Sequence, residues 1–141
     1  MKVLFAVTAL SLLALVGCSP QQAASAPDPQ TVLQAIASAD SARYDRLQNM
    51  KEWRNPYLIV RRDGVALLDA ADDAEIILKP EEVLPRLARL PASSWPYGRV
   101  VAVAEGGAAS EQDGVAMRRN KGIVGGLLEG AHVAVKWVPS N

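Results

Sequence analysis

The chain predicts an α+β fold: a two-layer sandwich of about four strands with two packed helices, preceded by an N-terminal helix. Three observations carry that expectation. Tyr57–Arg62 and Val65–Asp69 are β-rich runs flanking Asp63-Gly64, the strongest short-range hairpin signal. Arg99–Ala104 is apolar on both faces, the pattern of a central strand covered from both sides. Helical patterns at Pro80–Leu90 and Ser110–Glu129 fall between strands, which makes them crossovers packed on the sheet.

In chain order, Lys2 supplies a positive start and Val3–Val16 an apolar run broken only by Thr8 and Ser11. That run falls short of the roughly 20 residues a membrane-spanning helix needs and has the build of a secretory leader. Ser19–Gln30 is small, polar and punctuated by Pro20, Pro27 and Pro29, so it is expected to be a flexible tether. Thr31–Trp53 lacks Gly and Pro. Val32, Ile36, Ala39 or Tyr44, Leu47, Met50 and Trp53 approximate one face of a helix with a weak point at Arg43, and Ser38-Ala39-Asp40-Ser41 offers a break where Asp40 or Ser41 caps a second segment. Pro56 closes this segment, because the residue before a proline avoids the helical conformation.

After the hairpin, Ala70–Glu75 reads as an acidic loop and Ile76-Ile77-Leu78 as a short strand. Pro80-Glu81-Glu82 starts a helix, with Pro in the first turn and carboxylates at the positive end of the dipole. Val83 or Leu84, Leu87 and Leu90 give it an apolar face, Pro85 is early enough to be tolerated, and Pro91 stops it. Trp95-Pro96-Tyr97-Gly98 is a turn. Ser110-x-x-Asp113 resembles a capping box for the last helix, which Gly130 is expected to stop. Gly114, Gly122, Gly125 and Gly126 each cost about 1 kcal/mol there relative to Ala, and they make sense if that face lies close against the sheet. His132–Val138 alternates as a final strand, with Val133, Val135 and Trp137 on one side.

Leu15-Val16-Gly17-Cys18 resembles the lipobox of bacterial lipoproteins. The resemblance implies cleavage between Gly17 and Cys18, diacylglyceration of the Cys18 thiol and acylation of the new amino group. Two or more chains hold a protein on a membrane stably where one does not. Ser19 in place of Asp implies the outer membrane, with the domain facing the periplasm. The organisation expected is therefore a leader over 1–17, a lipidated Cys18 and tether over 18–30, a helical segment over 31–54 and an α+β domain over 55–141. The element order over Tyr57–Val138 also resembles the periplasmic domains of the TolR and ExbD proteins of energy-transducing envelope complexes. Those proteins anchor through an uncleaved membrane helix bearing an Asp. No acidic residue lies in the apolar run here, so only the fold and a habit of pairing with envelope partners carry over.

Composition narrows the chemistry. The chain carries 15 basic and 15 acidic side chains, so nothing steers it toward nucleic acid. Cys18 is the only cysteine, which excludes a disulfide and a cysteine-held metal. The single histidine, His132, stands beside Lys136 with no second histidine, and reads as a surface or satisfied side chain. The acidic run Asp69–Glu75 lacks the ligand spacing and glycine of an EF-hand loop, and Gly106-Gly107 lacks the Gly-Lys-Ser/Thr of a phosphate loop. No metal, cofactor or catalytic constellation is expected, and the chain reads as a non-enzyme. The candidate partner-binding residues are Trp95, Tyr97 and Arg99, with Trp53 and Arg54 from a second Trp-Pro-Tyr boundary. The competing reading makes these aromatics closures of a small core that lacks Phe. Arg61-Arg62 opposite Arg118-Arg119 is a candidate cationic patch for peptidoglycan or lipid phosphates, set among scattered acids. The function expected is a lipid-anchored envelope protein that binds an envelope protein or peptidoglycan. A small-ligand binder or enzyme with a pocket near Trp95, Tyr97 and His132 is the alternative, and a structural lipoprotein contacting the cell wall is a third reading.

Overall fold

The computed structural model describes residues 24–68 and 74–139. Leu15–Cys18, the proposed cleavage site, the first half of the tether and most of the acidic stretch after Leu68 lie outside the described residues. The elements are α1 (Pro29–Gln34), β1 (Tyr57–Arg61), β2 (Gly64–Leu68), β3 (Glu75–Leu78), α2 (Val83–Ala88), β4 (Val100–Glu105), α3 (Glu111–Gly130) and β5 (Ala134–Trp137). They build an α+β fold on one five-stranded mixed sheet of order β3-β2-β1-β4-β5. The hairpin pairs β1 with β2 and β2 with β3 antiparallel, whereas β1–β4 and β4–β5 are parallel and joined through helices.

Alternation along the strands divides the apolar residues between two layers. Leu58 and Val60 of β1, Val65 and Leu67 of β2, and Val101 and Val103 of β4 face the helices. There they meet Leu33 of α1, Val83 and Leu87 of α2, and Met117, Val124 and Leu128 of α3. Val100 and Ala102 face the other way and are covered by Trp53, with Tyr44, Leu47, Met50, Tyr57 and Tyr97 around it. β4 is therefore buried on both faces, as its apolar run requires.

The Thr31–Trp53 helix is not formed as expected. Asp28 caps α1, its carboxylate accepting from the Thr31 N–H at 3.1 Å, and Pro29 takes the first turn. The helix therefore starts inside the stretch read as tether, and it stops at Gln34. From Ala37 the backbone runs beside the β4 entry instead. The Arg99 N–H donates to the Ala37 carbonyl at 2.8 Å, and the Asp40 N–H donates to the Tyr97 carbonyl at 2.9 Å. Only two single 3-10 turns, Ser41–Arg43 and Met50–Glu52, follow before β1. The apolar residues of the expected helix face are all buried or half-buried, but they serve two layers. Ile36 joins the helix side beside Leu33, which lies off the expected face and is fully buried, whereas Tyr44, Leu47, Met50 and Trp53 form a strap across the opposite face.

Two local corrections concern backbone that needs positive φ. In the hairpin Arg61 pairs with Gly64, so the two-residue loop is Arg62-Asp63 rather than Asp63-Gly64. Gly64 takes the positive φ, at 153°, where a Cβ would overlap the Leu78 carbonyl. At the end of α3, Gly130 is still helical and the stop is His132, at φ 55°. The His132 N–H donates to the Glu129 carbonyl and the Val133 N–H to the Leu128 carbonyl, both at 2.9 Å. This is the Schellman pattern, with Val133 and Leu128 both in the helix-side core.

The glycines of α3 do not lie against the sheet. A Cβ on Gly122, Gly125 or Gly126 would meet no atom within 4 Å, and Gly122 and Gly126 are exposed. Their helix-propensity penalty is thus uncompensated by close packing. Gly126→Ala is expected to stabilise the fold by about 0.5–1 kcal/mol, seen as a higher urea midpoint at unchanged slope. A lower midpoint would mean that the added methyl strains the helix or its packing.

Candidate functional site

The boundary residues that sequence reading singled out do not converge on one surface. Trp53 and Trp95 are both buried, at 4% and 5% exposure, and they sit in cores on opposite faces of the sheet. Trp53 donates through Nε1 to the Pro56 carbonyl at 3.2 Å. Its ring meets Tyr97 at 5.1 Å and Tyr44 at 5.6 Å between centroids. The Tyr97 hydroxyl donates to the Glu52 carbonyl at 3.1 Å, closing this cluster. Burial, then the Asp45 and Asp40 carboxylates, raise the Tyr44 phenol above its ordinary value, and burial does the same at Tyr57. Arg99 joins three segments. Its Nε donates to the His132 carbonyl at 2.8 Å, and its Nη1 donates to the Leu33 and Ile36 carbonyls at the end of α1 at 3.3 Å. It thus holds α1 and the α3–β5 connection together. The His132 side chain is exposed, and its contribution is the left-handed backbone that ends α3.

Two polar side chains that sequence reading missed position the Trp95–Gly98 turn and the hairpin. Asn55 is 1% exposed. Its Nδ2 donates to the Gly98 and Val100 carbonyls at 2.7 and 2.8 Å, and its Oδ1 accepts from the Tyr97 N–H at 2.9 Å. Asn120, 2% exposed on α3, donates to the Arg61 carbonyl at 2.8 Å and fastens the hairpin to the helix. The basic pairs at Arg61-Arg62 are largely neutralised. Arg61 donates to Glu75 at 2.9 Å, and Arg62 lies 3.3 Å from Asp113.

Two of the hollows in the fold lie on either side of the Leu90–Pro96 segment. One cleft, of about 420 Å³, opens where β2 ends and β3 begins. Leu67, Leu68, Ile76 and Leu90 supply apolar walls, and Arg54, Arg86, Ser93 and Ser94 supply the free polar groups. No Asp or Glu is among its described lining residues. A second, more open hollow of about 680 Å³ lies between this segment and the Ile36–Arg43 strap, and Trp95 lines it. Each hollow is lined by a residue with a buried donor that lacks a partner: Arg86 Nε in the first and Trp95 Nε1 in the second. Buried donors are almost always paired, so two orphans flanking one segment mark it out. Of the residues expected at a binding surface, Arg54 lines the first cleft and Trp95 the second. Tyr97 and His132 line neither.

Among the described residues there is no group of three or more His, Cys, Asp or Glu able to hold a metal, and no helix long and apolar enough to cross a membrane. Compared with protein families, curated proteins and solved structures, the chain matches none of them.

Proposed function

We propose that the chain is a lipid-anchored protein of the bacterial envelope, acylated at Cys18 and facing the periplasm, whose α+β domain binds another envelope component. The binding site in this reading is the cleft lined by Arg54, Arg86, Ser93 and Ser94. The observation that carries it is the buried, unpartnered Nε of Arg86, a residue that lines this cleft. A donor in that position costs stability unless something accepts from it, and binding is what repays that cost. The leader and Leu15-Val16-Gly17-Cys18 support the anchor, the polar stretch after Cys18 supplies reach, and Ser19 favours the outer membrane.

Two measurements test the two halves. Growth with radiolabelled palmitate is expected to label the chain, and Cys18→Ala is expected to abolish the label. Persistence of the label in that variant would remove the anchor. For the domain, a photocrosslinking residue in place of the exposed Ser93, on the cleft rim, is expected to give a discrete adduct in cells. That adduct should disappear when Arg86→Met is added. Tyr97 is unsuited to the purpose, because its ring and hydroxyl hold the strap to the sheet. An adduct indifferent to Arg86 would place the binding surface elsewhere.

A further inference from the structure

We infer that the Arg54–Arg86 cleft takes a small carboxylate with an apolar body. The inference rests on the reading of this cleft as the binding site and adds the chemistry of its occupant. At about 420 Å³ the cleft is near the lower end of small-molecule sites, which run from about 300 to 1,000 Å³. Its walls of Leu67, Leu68, Ile76 and Leu90 favour an aliphatic or aromatic body. Its two arginines meet no acidic group among the described lining residues, and a guanidinium favours an anionic occupant. Arg86 makes none of the ion pairs formed among the described residues.

The form of the orphan group narrows the anion. An arginine Nε and the adjacent Nη present two parallel N–H bonds that match the two oxygens of a carboxylate. Arg54 is exposed, its Nη1 reaching only the Lys51 carbonyl at 3.5 Å, so it is free to swing toward a head group at the mouth. Ser93 and Ser94 line the same cleft and bring two hydroxyls to it. A single negative charge suits one half-buried and one exposed arginine better than a dianionic phosphate, whose remaining oxygens would be desolvated among leucines.

The test is calorimetric titration of the full chain in phosphatidylcholine nanodiscs with hexanoate, with hexanamide in parallel and empty nanodiscs as the blank. Hexanoate is expected to bind at least tenfold more tightly than its amide. Arg86→Met keeps the aliphatic stem and removes the orphan donor. It is expected to lower hexanoate affinity at least tenfold, yet leave the melting temperature of the unliganded protein unchanged or raised. Arg54→Met is expected to weaken hexanoate severalfold. Equal binding of acid and amide, or hexanoate binding that ignores Arg86, would overturn the inference. So would a lower melting temperature in unliganded Arg86→Met, which would make that guanidinium a structural group. If Ser93 crosslinks depend on Arg86 while hexanoate fails to bind, the carboxylate assignment falls and the cleft remains the binding site. Loss of both removes the cleft itself.

Discussion

Asn55→Ala is expected to destabilise the fold by roughly 3–4 kcal/mol, among the largest effects of any single truncation in this chain. The reason lies in the parallel β1–β4 ladder. The Ala102 N–H donates to the Pro56 carbonyl at 3.1 Å, so the next donor toward the strand start, owed to the Val100 carbonyl, would be Pro56 itself. Proline has no N–H. The Asn55 side chain supplies the missing donor, with Nδ2 at 2.8 Å from the Val100 carbonyl and 2.7 Å from that of Gly98. Its Oδ1 also takes up the Tyr97 N–H. Truncation strips these bonds in a position 1% exposed, where water cannot replace them. Aspartate is no substitute, since it lacks the donors and would bury a charge. Urea unfolding followed by far-UV circular dichroism should show a lower midpoint with an unchanged slope. A loss below about 1 kcal/mol would show that the turn is held by other means.

The parts of the fold legible in the sequence are those set by neighbouring residues. The β1–β2 hairpin, the two-faced β4 and the Ser110 cap of α3 all follow from local pattern, and the Ser110 hydroxyl does accept from the Asp113 N–H at 3.1 Å. The strap over 37–53 was not legible as a strap. An irregular segment crossing a sheet can also bury a residue every three or four positions, and what rules out helix is pairing with backbone at Tyr97 and Arg99, far along the chain. The end of α3 failed for a similar reason. Gly130 carries the local stop signal, but the Schellman geometry forms where Val133 can seat beside Leu128 in the core, which puts His132 in the left-handed position.

The candidate site was half legible. Arg54 stood out beside Trp53 and Pro56. Arg86 did not, because a charged residue between Pro85 and Leu87 on a short helix reads as a solvated side chain. Only the tertiary fold buries its Nε and sets Arg86 in a cleft shared by the end of β2 and the Leu90–Pro96 segment. Asn55 carried a weak signal, an Asn before a Pro at a strand start, which is equally the mark of an ordinary turn. Rigid aromatics beside prolines marked element boundaries correctly. What the sequence could not say is that Trp53 and Trp95 would turn inward on opposite sides of one sheet.

Gly98→Ala is expected to cost about 3 kcal/mol and to loosen the N-terminal segment selectively. Gly98 has φ 77°, a conformation that costs a Cβ-bearing residue roughly 1–2 kcal/mol. Space is a second constraint. A Cβ would overlap the Ser38 carbonyl oxygen and lie 2.9 Å from the Ala37 carbonyl oxygen, both rigid backbone. To admit it, residues 37–40 must move away from the β4 entry. That movement breaks the Arg99-to-Ala37 and Asp40-to-Tyr97 backbone bonds, each of which contributes about 1 kcal/mol. Hydrogen exchange should therefore quicken first at the Arg99 and Asp40 amides and least at the β1–β2 pairs. Uniform acceleration across the sheet would contradict this local account. Gly98 is also a partner of Asn55, so the two substitutions disturb one junction. The double variant should lose less than the two losses added together. Strict additivity would mean that the strap and the β1–β4 entry are held independently.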